Sequence, residues 1–190
     1  MKLTTKRLVQ TAFLLAICIA SQYFKNLSVY ITGPIVNTTI IIATLAIGLW
    51  SGILISIIAP VTAFFFTGSP IMAAIPLMFP VVMAGNAVLA VSVWYFQEKL
   101  PFKWKLPAGL VTGSILKAVF MGAVVILIIL PVFGGNVAGK LPKPEALPKV
   151  LATAKVTFSV TQLITALIGS ALAYIIWIPL KNNLSKEDFQ

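Results

Sequence analysis

Long apolar runs separated by short polar or Gly/Pro-containing turns divide the chain into six segments. The first run, 8–24, has 17 residues, near the lower limit for crossing the hydrocarbon core as a helix. The polar stretch KNLSVYITGP follows, and Gly33-Pro34 reads as the stop signal before a second helix at about 35–49. A turn from Gly48 to Gly52 leads to a third helix at about 53–66. Helices this short must tilt or thin the bilayer locally. After Thr67-Gly68-Ser69-Pro70, a fourth helix is predicted at about 73–96, with Pro76 starting its regular part and Pro80 bending it. The polar segment QEKLPFKWK precedes a fifth helix at about 107–130. A loop over 134–149, with three prolines, three glycines and three lysines, precedes a sixth helix at about 150–180 and an exposed tail.

Composition sharpens this into a fold class. The chain is 59% hydrophobic and 9% charged, against about 25% charged residues in soluble domains. The expectation is an all-α integral membrane protein, a bundle of six transmembrane helices forming a single membrane domain over 1–190. The N-terminus has the basic-then-apolar look of a signal peptide, with Ala20 or Ser21 as cleavage positions. The run is long enough to span, so a retained first helix is the reading taken.

The net charge of +10 does not point to nucleic acid, because the lysines flank apolar spans and no basic face is interleaved with exposed aromatics. Their distribution predicts orientation instead. With six spans both ends share a side, which carries Lys2, Lys6, Arg7, Lys99, Lys103, Lys105, Lys181 and Lys186; the other carries Lys25, Lys140, Lys143 and Lys149, with Lys155 just inside helix 6. The excess puts both termini in the cytoplasm. Cys18 is the single cysteine and there is no histidine, so neither an intrachain disulfide nor a metal site of the common kinds is expected.

Lys117 is a lone charge within an apolar helix, and the four acids (Glu98, Glu145, Glu187, Asp188) all lie in loops or the tail. An ionisable group at that depth marks a binding site or ion path by default. The alternatives are a snorkelling lysine, a neutral amine, or an ammonium held by backbone carbonyls. The other intramembrane polar groups are few: Gln22, Asn37 near the outer end of helix 2, Asn86, Ser114, Lys155, Ser159 and Gln162. In helix 6 Lys155, Ser159 and Gln162, at spacings of four and three, share one face, whereas Thr161 and Thr165 are expected to bond their own backbone. Helix 1 carries Ala12, Ala16 and Ala20, a smooth stripe four residues apart that suits either close packing inside the bundle or a partner helix. No phosphate-binding loop, nucleophile elbow or HExxH sequence occurs, so enzymatic activity and direct ATP binding are not expected. The spans hold no Asp, Glu or His for ordinary proton coupling.

Arg7, the Ala12-Ala16-Ala20 stripe, the proline-bearing helix 4 with Gly85-Asn86, and the helix 6 run from Phe158 to Leu163 together resemble the S components of energy-coupling factor transporters, the vitamin-binding subunits of bacterial micronutrient importers. The likeness covers essentially the whole chain. It implies a plasma-membrane protein that takes a small water-soluble vitamin or precursor from outside, without a cofactor of its own. The partners it implies are a transmembrane coupling subunit, docking on Ala12, Ala16 and Ala20, and two cytoplasmic ATPase subunits that drive toppling and release.

The resemblance also implies an external pocket built by helices 4 to 6 with the outer loops. Lys117, Lys155, Ser159, Gln162 and Asn86 are the polar candidates, Phe79, Met83, Phe120, Met121 and Phe158 the apolar ones. Two lysines suit a carboxylate or phosphate, which tilts the expected ligand toward an acid of the nicotinate or pantothenate kind. Lys155 has snorkelling as its alternative, and Asn86 and Gln162 have interhelical hydrogen bonds. Most aromatics read as an interfacial belt; Tyr23 and Tyr30, flanking the first outer loop, are lid candidates for ligand contact. Two rivals remain: a rod-shape-type membrane scaffold and a solitary small-solute carrier. Lys117→Met would abolish ligand binding in an S component, and would be neutral or stabilising in a scaffold.

Overall fold

A computed structural model of the chain describes residues 5–26, 28–141 and 143–187; Lys2 and Asp188, counted above, lie outside them. The described residues are helical with no strand. The helices are α1 (Thr5–Gln22), α2 (Val29–Ala46), α3 (Leu49–Thr67), α4 (Pro70–Ala74), α5 (Met78–Lys99), α6 (Lys105–Val124), α7 (Leu130–Phe133), α8 (Leu147–Thr157) and α9 (Val160–Glu187). A π-helical stretch, Val125–Ile129, joins α6 to α7 without a break. Five stretches are long and apolar enough to cross a membrane: Val29–Ala46, Leu49–Thr67, Met78–Lys99, Lys105–Lys140 and Leu147–Asn182. α1, which carries Lys6, Arg7, Gln10 and Gln22, is not among them.

Several predicted boundaries are corrected. Gly33-Pro34 does not stop a turn; both lie inside α2, which starts at Val29. The start is set by Ser28, whose Oγ accepts from the Tyr30 backbone N–H at 3.1 Å. Pro34 removes one helix bond, and continuing the helix keeps the remaining backbone paired where water is absent. The turn before α3 shrinks to Ile47 and Gly48, which Gly48 permits with a φ of 131°. Helix 4 is broken rather than bent: α4 ends at Ala74, Pro76 sits in the break, and Pro80 falls in the first turn of α5, where its missing N–H costs little. The sixth helix is also broken, with Phe158 and Ser159 between α8 and α9. The loop over 134–149 contains two 3₁₀ turns, Gly134–Lys140 and Pro144–Ala146.

α2 is the central helix and packs against α1, α3, α5 and α9, while α6 closes the bundle between α5 and α9. Small residues allow these approaches, as expected where van der Waals contact rather than water exclusion drives association. A Cβ on Gly169 would lie 2.7 Å from both the Asn37 Cβ and the Pro34 carbonyl oxygen, so α9 reaches α2 only because a glycine stands there. Beside it the Thr38 hydroxyl donates to Pro34 O at 2.8 Å and Gly169 O at 3.0 Å. A Cβ on Gly109 would come within 2.7 Å of the Phe96 Cβ, the same device between α6 and α5. Ser114 and Ser170 hydroxyls meet at 3.0 Å between α6 and α9.

Candidate functional site

Three helices meet at Lys117. Its ammonium donates to Asn37 Oδ1 on α2 at 2.6 Å and to Asn86 Oδ1 on α5 at 2.7 Å. The lysine is only 2% exposed, and both asparagines are buried. An ammonium only donates, so each amide must turn its oxygen to it and keep its NH2 as a donor. Neither snorkelling nor backbone carbonyls account for this lysine; two side-chain amides hold it, each supplied by a different helix.

The cluster lines a cavity of about 550 Å³, within the range of small-molecule sites. Its lining comes from the C-terminal halves of α1, α3 and α6, the N-terminal halves of α2, α5 and α9, and from α4 and α8. In an up-and-down bundle those parts share one end, opposite the end holding the N-terminus of α1 and the C-terminus of α9. The walls are largely apolar, from Val36, Ala63, Ile71, Met72, Val82 and Phe158. Polar lining comes from Gln22, Thr32, Thr67, Thr153, Gln162 and Thr165, and Lys149 of α8 is a second lysine there. Among the described residues no acid lines the cavity.

Of the residues predicted for the site, the structure brings together Lys117, Asn86 and Gln162. Lys155 and Ser159 are not in the lining. The break at Phe158 and Ser159 rotates the end of α8 relative to α9, so Lys155, Ser159 and Gln162 lose their common face. Lys155 is exposed, and the Ser159 hydroxyl donates to the Lys155 carbonyl at 2.5 Å while its Cβ packs toward Gly122 of α6. Tyr23 and Tyr30 are 71% and 52% exposed and are not in the lining; Tyr23 packs edge-on against Phe24 and Phe66. Among the apolar candidates Phe158 lines the cavity, and Phe79, Met83, Phe120 and Met121 do not. Phe79 instead meets Phe64 edge-on at 5.2 Å, and Met121 fills the space over Gly85. Thr165 bonds the Thr161 carbonyl at 2.8 Å as expected, yet also lines the cavity.

Asn37, Gln22 and Lys149 are lining residues that the sequence reading left outside the site. Asn37 carried a readable signal, an amide within an apolar run; the depth of Lys117 gave no hint of which helix would face it. Gln22 is fully bonded: its Nε2 donates to Ala59 O at 3.0 Å, and its Oε1 accepts from Thr62 Oγ1 at 2.7 Å. It clips α1 to α3. At the other end of α1 the Thr11 hydroxyl reaches Ser51 Oγ at 2.9 Å. With these groups turned inward, Ala12, Ala16 and Ala20 all lie on the exposed face of α1, beside Val9, Phe13 and Ile17.

No curated protein and no solved structure matches the chain. One family does, described as "ECF transporter, substrate-specific component", and the match runs over residues 6–181. Several apolar helices around a cavity agree with a substrate-binding component of a membrane transporter, and the chain belongs to the family of substrate-specific components of ECF transporters.

Proposed function

We propose that this chain captures a small water-soluble vitamin or precursor with an acidic or carbonyl-bearing group, and hands it to a transmembrane coupling subunit driven by two ATPases. The observation that carries the reading is the Lys117–Asn37–Asn86 cluster in the lining of the cavity. One ammonium hydrogen remains after the two amide bonds, and each amide keeps its NH2, so the cluster offers donors converging on an oxygen. Dry surroundings make such bonds stronger than in water. The apolar walls take the ligand body, and Gln162 and Lys149 offer further polar contacts.

The orientation proposed has six spans and both termini inside a bacterial plasma membrane. α1 packs along α2 and α3, which supports its counting as the first span. Lys6, Arg7, Lys99, Lys103, Lys105 and Lys181 lie at the end opposite the cavity, so the basic side faces the cytoplasm and the cavity faces out. The exposed Ala12, Ala16 and Ala20 would meet the coupling subunit, because small side chains let a partner helix approach closely.

The test is mass spectrometry of small molecules released from the detergent-purified protein, beside Lys117→Met. A single acidic or carbonyl-bearing compound in the native protein and none in the variant is expected. Equal content in the two would remove the cluster from the ligand site. A native protein that stays empty after incubation with a panel of water-soluble vitamins favours the scaffold reading. Uptake into vesicles lacking any ATPase favours a solitary carrier.

A further inference from the structure

At the end of the bundle away from the cavity, the turn between α5 and α6 and the C-terminal part of α9 enclose a groove of about 450 Å³. Lys103, Lys105 and Lys181 line it together with Gln97, Trp104 and Trp177, and among the described residues no acid does. We infer that this groove binds the headgroup of an anionic phospholipid, with the phosphate among the lysines and a headgroup hydroxyl turned to Gln97. The inference is independent of what the cavity carries.

Charge is the first argument. Three lysines from two separate segments line one concave surface, and among the described residues only Lys105 has a structural bond there. The nearest acid in sequence, Glu98, is exposed on α5 outside the lining. Lys105 is held in place: its Nζ donates to the Gln97 carbonyl at 2.6 Å, tying the last turn of α5 to the first of α6. Lys103 and Lys181 are exposed.

The backbone adds to this field. The groove includes the start of α6, a helix of 20 residues whose first turn holds no acid and whose N-cap, Trp104, makes no side-chain cap bond. The positive end of its dipole modestly favours an anion, although the Lys105 N–H is already taken by Phe102 O at 3.3 Å and Pro107 has no N–H.

The choice of a lipid rests on two further observations. Trp104 is 73% exposed at a helix end, as an indole at the headgroup level is. In the same lining, Gln97 has a buried Oε1 with no hydrogen-bond partner among the described residues. A buried acceptor left unmet is costly. A turn of the Gln97 amide would bring Oε1 to the groove, where a glycerol headgroup offers a hydroxyl donor beside its phosphate, whereas a choline headgroup brings a cation and no donor.

The experiment is native mass spectrometry of the full chain in detergent, titrated with dioleoylphosphatidylglycerol, dioleoylphosphatidylcholine or inorganic phosphate. The native protein is expected to prefer phosphatidylglycerol over phosphatidylcholine by about thirtyfold, and Lys103→Gln/Lys181→Gln to lose that preference with its thermal midpoint unchanged. Lys140→Gln/Lys143→Gln, at the other end of the bundle, should keep it. Equal affinity for the two lipids overturns the inference, as does an equal loss in both variants, which would mean that net charge alone attracts the lipid. Displacement of phosphatidylglycerol by millimolar phosphate would overturn the lipid in favour of the free anion.

Discussion

The Lys117 ammonium donates to the side-chain oxygen of Asn37 at 2.6 Å, joining α6 to α2 across 80 residues of chain. With Asn86 completing the cluster, the lysine is at once an interhelical tie and a donor at the cavity wall. The two roles separate by substitution. Asn37→Asp sets a carboxylate against the ammonium, which keeps the tie and withdraws the positive charge from any ligand. The thermal midpoint in detergent should hold or rise, while ligand retention falls about tenfold or more, the equivalent of one charge-assisted bond. A variant that retains ligand normally would show that the cluster does not touch it.

Lys117→Met was expected to be neutral or stabilising in a protein without a ligand. The two amide partners change that, because Met leaves both oxygens without their donor. The variant should lose about 1–3 kcal/mol of stability whatever the protein binds. Released ligand, measured beside the unfolding midpoint, is therefore the readout that carries functional meaning. A midpoint equal to or above that of the native protein would mean that the two amide bonds add nothing net to the fold.

Gly169 sets the spacing that places Asn37. Gly169→Ala brings a Cβ within 2.7 Å of the Asn37 Cβ and the Pro34 carbonyl, so α2 and α9 must part. A cost of about 1–3 kcal/mol is expected from overpacking, with weakened ligand retention. Gly135→Ala, with nothing within 4 Å of the added carbon, is the matched control and should be silent. Equal midpoints for the two variants in a chemical unfolding series would disprove the seam.

Gln22 holds α1 against α3 through Ala59 and Thr62. Gln22→Leu should cost about 1 kcal/mol, in keeping with interhelical hydrogen bonds in membranes. Protease access or hydrogen exchange confined to α1 would locate the effect, and uniform loosening of all helices would contradict the clip.

Ala12, Ala16 and Ala20 face outward. Ala16→Trp should leave the thermal midpoint within about 0.5 kcal/mol of native, as surface changes do. On the proposed function it should abolish co-purification with the coupling subunit. Normal co-purification would move the docking surface elsewhere.

Helix content and its placement along the chain were legible because a backbone out of water must satisfy its own hydrogen bonds, and runs of apolar side chains announce where that happens. The resemblance to substrate-specific components was also legible, from the Ala12 stripe to the helix 6 run. Helix ends were less so. Gly33-Pro34 reads as punctuation in water, yet within the bundle Ser28 caps the helix ahead of it, and α2 runs through. Lys155 and Ser159 share a face with Gln162 by spacing alone, yet the helix breaks at Phe158 and neither lines the cavity.

The sequence by itself determined that this is a helical membrane protein with one lysine inside an apolar helix and an alanine stripe on its first helix. Only the tertiary structure decided what meets that cation. Asn37 and Asn86 lie 80 and 31 residues from Lys117, and no local periodicity links positions so far apart. Their meeting depends on how closely α2, α5, α6 and α9 approach, and that is set by glycines such as Gly169, whose part is visible only once the opposing backbone is in place.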